Sequence, residues 1–175
     1  KMAFMRLKHL PAVQGISHFD EINLRTYIKV GSRTAVYFLS IEANNFLSCM
    51  IARKVSELPY RFSKIKRTSN SCNASNNKYN DALAIMYVVK EEITQKTNRD
   101  IWLTERYALF QNTDAHSNCF EIHHKPWPLY RVACDVKQIK YSRFMPLLNG
   151  NPKAMHYSPG VKVLAWNTQR TRLDS

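Results

Sequence analysis

The distribution of apolar and polar residues along the chain predicts mainly β-strands. In EINLRTYIKV, residues 21–30, Ile22, Leu24 and Ile28 share one face of an extended chain, opposite polar residues. The next segment, TAVYFLSIE, is nearly continuously apolar, which is typical of a strand that is covered on both faces. Gly31 and Ser32 separate the two segments and favour a hairpin turn.

One segment has a helical period instead. In NNFLSCMIARKVSEL, Phe46, Met50 and Val55 recur at helical spacing, Asn44 or Asn45 can cap the start, and Pro59 follows the end. DIWLTERYALFQ is predicted to begin with a helical turn and continue as a strand, and most later segments alternate like strands. We therefore predict an α+β fold, mostly antiparallel β, with one main helix.

The length of 175 residues fits a single domain over residues 1–175. Within it, the Ser- and Asn-rich stretch TSNSCNASNNKYND, residues 68–81, is predicted to be an exposed loop. No apolar run reaches membrane-spanning length, and the first residues lack the apolar core of an export signal. We therefore expect no membrane partner.

Cysteine usage bears on the location and on metal binding. The four cysteines are Cys49, Cys72, Cys119 and Cys134, and none of them forms a CxxC pair or a zinc-binding spacing. This usage favours free thiols in a reducing cytoplasm, so we predict a cytoplasmic protein. We expect no metal and no cofactor.

The charge balance is strongly basic, with 26 Lys and Arg residues against 13 Asp and Glu. Such a balance favours nucleic acid or another polyanion as a partner. The basic residues are spread along the chain, however, and no nucleic-acid-binding motif is present. Polyanion binding through the basic surface therefore stays an alternative that ranks behind a small-molecule ligand.

Two adjacent histidines stand out in EIHHKPWPLY, residues 121–130. In a strand, His123 and His124 point to opposite faces, so they do not ligate one metal ion together without a bulge. Pro126 and Pro128 fix the backbone and end the strand, which predicts a rigid corner around Trp127. His124 is still a candidate for lining a cavity.

Several polar residues lie inside otherwise apolar segments. They are Arg25 and Tyr27 in NLRTY, Arg53 in SCMIARKV, and Glu105, Arg106 and Tyr107 in LTERYALF. Each is explained as well by a surface position or a structural ion pair as by a site. Their repeated placement in core-like segments indicates a polar cavity, in which Arg25 and Arg53 approach one ligand.

A family resemblance covers nearly the whole chain. FDEINLRTYIKV, AVYFLSIEANN, ARKVSELPY, LTERYALF, EIHHKPWPL and HYSPGVKVLAW together resemble the YqjF-like family of uncharacterised proteins. The resemblance implies an acetoacetate decarboxylase-like fold, a cone or barrel of strands around a cavity. It also implies that this chain is N-terminally short and lacks the usual N-terminal strands, so its open edge is a candidate for pairing in a homodimer.

The resemblance to acetoacetate decarboxylase extends to ARKVSELPYRF, where Arg53 and Pro59 match the enzyme. Tyr60 stands where the enzyme has the lysine that forms a Schiff base, Arg61 stands at the neighbouring cation, and Lys54 replaces a glutamate. A tyrosine forms no imine. The resemblance thus implies that this chain is not an imine-forming decarboxylase, and it leaves open whether the chain is an enzyme.

The leading interpretation is a protein with a pocket for a small anionic or polar molecule. Two alternatives remain: an enzyme of unknown reaction that uses Tyr, Glu and His as acid–base groups, and the polyanion binder. The predicted ligand-binding residues are Arg25, Tyr27, Arg53, Tyr60, Glu105, Tyr107 and His124.

Overall fold

The computed structural model describes residues 19–148 and 150–172, and within them the chain forms a strand-rich α+β structure. Its helices are α1 (Phe46–Ser56), α2 (Asn98–Thr104) and a short 3-10 helix at Met145–Leu147. Its strands are β1 (Glu21–Val30), β2 (Arg33–Ala43), β3 (Tyr60–Phe62), β4 (Lys64–Arg67), β5 (Ser71–Asn76), β6 (Asp81–Glu92), β7 (Ala108–Asn112), β8 (His116–His124), β9 (Tyr130–Lys140), β10 (His156–Tyr157) and β11 (Val163–Arg172).

The strands form two sheets. One has the order β1-β2-β7-β8-β11 with β3 also paired to β2, and the other has the order β10-β9-β6-β5-β4. β2 is parallel to β3 and β7, whereas β7–β8, β8–β11, β4–β5, β5–β6 and β9–β10 are antiparallel. The prediction of a mostly antiparallel α+β structure is therefore confirmed.

By its contacts the chain divides into two compact units, each built from three segments. Of the described residues, the first unit contains 19–23, Ile41–Lys90 and Val132–Met155. The second unit contains Leu24–Ser40, Glu91–Arg131 and 156–172.

The core of the first unit consists of two clusters of apolar residues. In one, the buried residues Phe19, Ala43 and Cys49 pack against Tyr60. In the other, Ile65, Cys72 and Ala74 pack against partly buried residues, which are Ile22, Leu83 and Ile85. The mostly buried C-terminal half of β2 agrees with the prediction of a strand that is covered on both faces.

Helix α1 begins and ends where the sequence predicts. The Asn45 side chain caps its start by accepting from Ser48 N over 2.9 Å. At its end, Glu57 adopts a left-handed conformation with φ of 58°, and its N–H donates to the Arg53 carbonyl. Only Ser48 and Cys49 of the helix are buried, so most of its large apolar residues are exposed.

The prediction of an exposed loop over residues 68–81 is wrong in its central part. Ser71–Asn76 form β5, which pairs with β4 and β6. Cys72, Ala74 and Asn76 are buried and alternate with less buried residues, and Cys72 and Ala74 pack in one cluster with Ile65. The polar composition of this segment is therefore a poor guide to its exposure.

In addition to the predicted main helix, the structure contains a second helix, α2, at the place where the sequence predicts a helical turn. α2 is stabilised by a capping box, in which Thr97 and Asp100 each bond the backbone N–H of the other. The predicted absence of N-terminal strands concerns residues that lie outside the described ranges. No helix in the described ranges is long and apolar enough to cross a membrane.

Candidate functional site

The seven residues predicted to bind a ligand are distributed over both units. Arg53 and Tyr60 belong to the first unit. The second unit contains the other five, which are Arg25, Tyr27, Glu105, Tyr107 and His124.

In the second unit, Arg25 and Tyr27 of β1 lie with Trp102 and Arg106 in a group that we call the arginine–aromatic cluster. The Tyr27 and Trp102 ring centroids are 4.5 Å apart. The Arg106 guanidinium carbon lies 5.5 Å from the Tyr27 centroid and 4.8 Å from the Trp102 centroid. The Tyr27 hydroxyl donates to the Leu103 carbonyl over 2.9 Å. Arg25 Nη2 donates to that hydroxyl and to that carbonyl, each over 3.3 Å. Two cations therefore share the ring of Tyr27.

One edge of the Arg106 guanidinium has no hydrogen-bond partner among the described residues. Nη1 donates to the Glu105 carbonyl over 3.1 Å, whereas Nε and Nη2 are shielded from solvent and form no hydrogen bond within residues 19–148 and 150–172. Neither Arg106 nor Arg25 forms an ion pair with a carboxylate in the described part of the chain. Contacts with the two rings offset part of the desolvation cost, by about 0.5–2 kcal/mol each. The edge still lacks an anionic partner.

Glu105 is the centre of a neighbouring hydrogen-bond network in the second unit. Its Oε1 accepts from Lys96 Nζ over 3.0 Å and from the Trp127 N–H over 3.1 Å, and its Oε2 accepts from the Tyr107 hydroxyl over 3.1 Å. Burial alone raises the pKa of Glu105, but these donors outweigh it and hold the pKa below its ordinary value. Glu105 is therefore a stable carboxylate, which suits a structural role better than proton transfer.

His124 is buried on one face of β8, and His123 is exposed on the other, as the alternation predicts. His124 Nδ1 lies 2.9 Å from the Lys125 carbonyl oxygen, and Nε2 lies 3.2 Å from that of Arg106. Glu105 Oε2 lies 3.8 Å from Nδ1, on the same side of the ring as the Lys125 carbonyl.

The corner after β8 holds this histidine in place. Tyr107 stacks on the His124 ring with centroids 4.8 Å apart, and Trp127 meets it edge-on at 5.6 Å. β8 ends at His124, and Pro126 and Pro128 follow before β9 begins. Among residues 19–148 and 150–172, no three His, Cys, Asp or Glu side chains are grouped to hold a metal ion.

In the first unit, Tyr60 pairs with an acidic residue. Its hydroxyl donates to Glu21 Oε2 over 3.1 Å, and its ring packs against Cys49 and its neighbours. Burial raises the pKa of Tyr60, and the Glu21 carboxylate raises it further. Burial also raises the pKa of Glu21 above its ordinary value, and it raises the pKa of the Cys49 thiol to about 11. These three groups therefore favour their protonated forms.

A second buried network in the first unit joins two carboxylates to one arginine. Arg61 Nη2 lies 2.8 Å from Asp81 Oδ2 and 3.2 Å from Glu42 Oε1, and both acidic side chains are 3% exposed. The Tyr141 hydroxyl donates to Glu42 Oε2 over 3.4 Å, and the Tyr79 ring lies 4.6 Å from the Arg61 guanidinium carbon. Burial raises the pKa of Glu42 more than the Arg61 cation lowers it, so Glu42 keeps its proton to a higher pH than an ordinary glutamate does.

Arg53 and Arg25 are both exposed, which agrees with a surface position, one of the alternatives that the sequence leaves open for them. Arg53 forms no ion pair with the residues that the structure describes. The cost of an unpaired interior cation instead falls on Arg106, whose Nε and Nη2 are shielded.

Sequence reasoning did not select several residues of these networks. They are Glu42, Lys96, Trp102, Trp127, Asp81, Tyr79 and Tyr141. Glu42 carries a usable signal, since it is the single charged residue between Thr34 and Ala43 of the apolar strand β2. Arg106 is among the polar residues noted in LTERYALF, but it is not among the predicted ligand-binding residues.

Comparison with known proteins gives the family of this chain. The model of the DUF2071 family, described as an uncharacterised conserved protein, matches residues 1–162. The uncharacterised protein YqjF of Bacillus subtilis (strain 168) is 29% identical over 171 residues, which cover 93% of this chain and 70% of that protein. These findings confirm the likeness to YqjF that the sequence segments indicate. The chain belongs to the DUF2071 family.

Proposed function

We propose that the protein binds a small carboxylate at the arginine–aromatic cluster of the second unit. The observation that carries this proposal is the edge of Arg106 formed by Nε and Nη2, which has no acceptor in the described ranges. These two N–H groups form the fork that matches the two oxygens of a carboxylate. A ligand that supplies both oxygens removes the cost of burying this cation unpaired.

The residues around Arg106 have separate roles in this proposal. Arg25 adds a second positive charge beside the Tyr27 ring, and it is exposed enough to meet an entering anion. Trp102 is half exposed, and its ring centroid lies 4.8 Å from the Arg106 guanidinium carbon, so a ligand bound to this arginine changes the surroundings of the indole. Its fluorescence therefore reports binding.

Glu105, Tyr107 and His124 act as positioning residues. His124 Nε2 contacts the backbone carbonyl of Arg106, and Glu105 and Tyr107 hold the imidazole from its other sides. They fix the backbone that carries Arg106 and do not themselves contact the ligand. Arg53 and Tyr60 have no part in this site.

The scaffold that we propose is acetoacetate decarboxylase-like. Its support comes from ARKVSELPYRF, which spans the end of α1 and the start of β3, the helix-to-strand junction that carries the motif in the enzyme. With Tyr60 at the lysine position, the proposed activity is binding without formation of an imine.

Titration with acetate, malonate and acetoacetate tests the carboxylate site, with tryptophan fluorescence and calorimetry as readouts. We expect saturable binding, and a loss of about tenfold or more in affinity for Arg25→Gln and for Arg106→Lys, since a hydrogen bond to a charged group contributes about 1.5–3 kcal/mol. Arg99→Gln is the matched control, because Arg99 is an exposed arginine on α2.

Two results would overturn the proposal. One is the absence of saturable binding of all three acids to the folded wild-type protein. The other is an equal loss of affinity in the Arg25→Gln and Arg99→Gln variants, which would show a general effect of net charge. Thermal unfolding without ligand checks that Arg106→Lys remains folded.

A further inference from the structure

Helix α1 exposes a stripe of large apolar side chains. Five of them are 43–59% exposed: Phe46, Leu47, Met50, Ile51 and Val55. At positions i, i+1, i+4, i+5 and i+9 they lie along one side of the helix, and we call them the α1 apolar stripe. An exposed contiguous apolar surface of this kind marks a binding surface for an apolar environment.

The stripe continues into a basic depression in the same unit. The rings of Phe46 and Phe62 meet edge-on with centroids 6.1 Å apart, and Phe62 is 44% exposed. Beyond Phe62, an open depression of about 480 Å³ is lined by residues that include Lys64, Lys66 and Asn73. Lys64 and Lys66 alternate with the buried Ile65, so both point to the exposed face of β4.

The charge of this surface has one sign. The elements α1, β3, β4 and β5 contain no Asp or Glu. Their exposed basic residues are Arg53, Lys54, Lys64, Lys66 and Arg67. Of these, Arg67 pairs with Asp20 at 3.4 Å, and no ion pair within the described ranges neutralises the other four.

We propose that the α1 apolar stripe and the lysine depression bind the surface of an anionic lipid bilayer, which departs from the expectation, based on the lack of a spanning segment, of no membrane partner. The apolar side chains enter the boundary between headgroups and acyl chains, and Lys64 and Lys66 contact the anionic headgroups. A second copy of the chain fits less well as the partner. If two of these surfaces paired, their basic residues would repel one another, because α1, β3, β4 and β5 contain no carboxylates to balance them. Nucleic acid would use the lysines and leave the apolar stripe exposed.

Cosedimentation with vesicles tests this inference independently of the carboxylate site. The test compares vesicles of phosphatidylcholine alone with vesicles that also contain phosphatidylglycerol. We expect the wild type to bind the anionic vesicles preferentially, and Met50→Glu/Ile51→Glu to lower the partition coefficient about tenfold or more. Lys64→Gln/Lys66→Gln is expected to remove most of the preference for anionic lipid.

The matched control is Val88→Glu, since Val88 is 58% exposed on β6 in the same unit and lies outside the stripe. It is expected to bind like the wild type, and circular dichroism checks the fold of every variant. Failure of the wild type to bind anionic vesicles, or an equal loss in the control, overturns the proposal. So does self-association that Met50→Glu/Ile51→Glu abolishes, or RNA binding that requires the lysines and not the stripe.

Discussion

The hydroxyl of Tyr60 donates a hydrogen bond to Glu21 Oε2 over 3.1 Å. By resemblance, Tyr60 stands at the lysine position of acetoacetate decarboxylase. Burial raises the pKa of both side chains, so the position holds a neutral phenol beside an acid that favours its proton. Neither group is an amine, and neither can form an imine with a keto acid.

The first prediction is that acetoacetate and borohydride leave no covalent adduct on this protein. Intact mass spectrometry after treatment checks this outcome, because reduction traps any imine permanently. Lys54 and Lys64 both lie close to Tyr60 in sequence. A stoichiometric adduct on either of them contradicts the prediction, whereas a trace adduct spread over many lysines does not.

Local patterns predicted the elements better than composition did. β1, β2 and α1 follow from alternation, from an apolar run and from an Asn cap with helical spacing, all of which are local signals. β5 was missed because its small polar residues resemble a loop, and its strand conformation depends on pairing with β4 and β6. Such pairing is set by residues that are distant in sequence, and composition does not report it.

The second prediction concerns the two carboxylates that share Arg61. Asp81 is the closer partner at 2.8 Å and also accepts from Ser142 N over 2.9 Å, whereas Glu42 lies 3.2 Å from Arg61. We expect Asp81→Asn to lower the free energy of unfolding by about 3 kcal/mol, the cost of leaving a buried charge poorly paired. Glu42→Gln is expected to cost about 1 kcal/mol or less, since it replaces a group that favours its proton.

Urea unfolding at neutral pH compares the two variants directly. If Glu42→Gln lowers the free energy of unfolding more than Asp81→Asn does, the prediction that Asp81 is the more important partner of Arg61 is wrong. Lys137→Gln is a suitable control, because its ion pair with Asp135 is exposed and such pairs contribute little.

The third prediction is a pH dependence that arises from Glu42. Burial raises its pKa above the ordinary 4.5, so the folded state binds this proton more tightly than the unfolded chain does. The stabilisation is fully present below pH 4.5 and is lost as the pH rises through the higher folded pKa. Unfolding followed from pH 4.5 upward should show a smaller loss of stability in Glu42→Gln than in the wild type. Equal slopes contradict the prediction.

The candidate site was only partly predictable, and the reason is physical. The criterion for candidate residues was a polar side chain within an otherwise apolar segment. Five of the residues chosen in this way lie in one unit, namely Arg25, Tyr27, Glu105, Tyr107 and His124. Arg106 stands out in the sequence as a polar residue of LTERYALF but is not among the predicted ligand-binding residues, because sequence alone does not show that its Nε and Nη2 lack a hydrogen-bond partner in the described ranges. The surroundings of the guanidinium are aromatic because β1 and α2, which are distant in sequence, place Tyr27 and Trp102 against it.

The last prediction separates the two adjacent histidines. His124→Ala removes a buried ring between Tyr107 and Trp127 together with its contacts to the carbonyls of Lys125 and Arg106. We expect it to lower the free energy of unfolding by about 2–4 kcal/mol. His123→Ala, on the exposed face of β8, is expected to cost about 1 kcal/mol or less.

Because the two rings face apart, we also expect no stoichiometric zinc, iron or copper in tag-free protein. Comparable losses of stability, or one metal per chain that either substitution removes, contradict this account of the corner after β8.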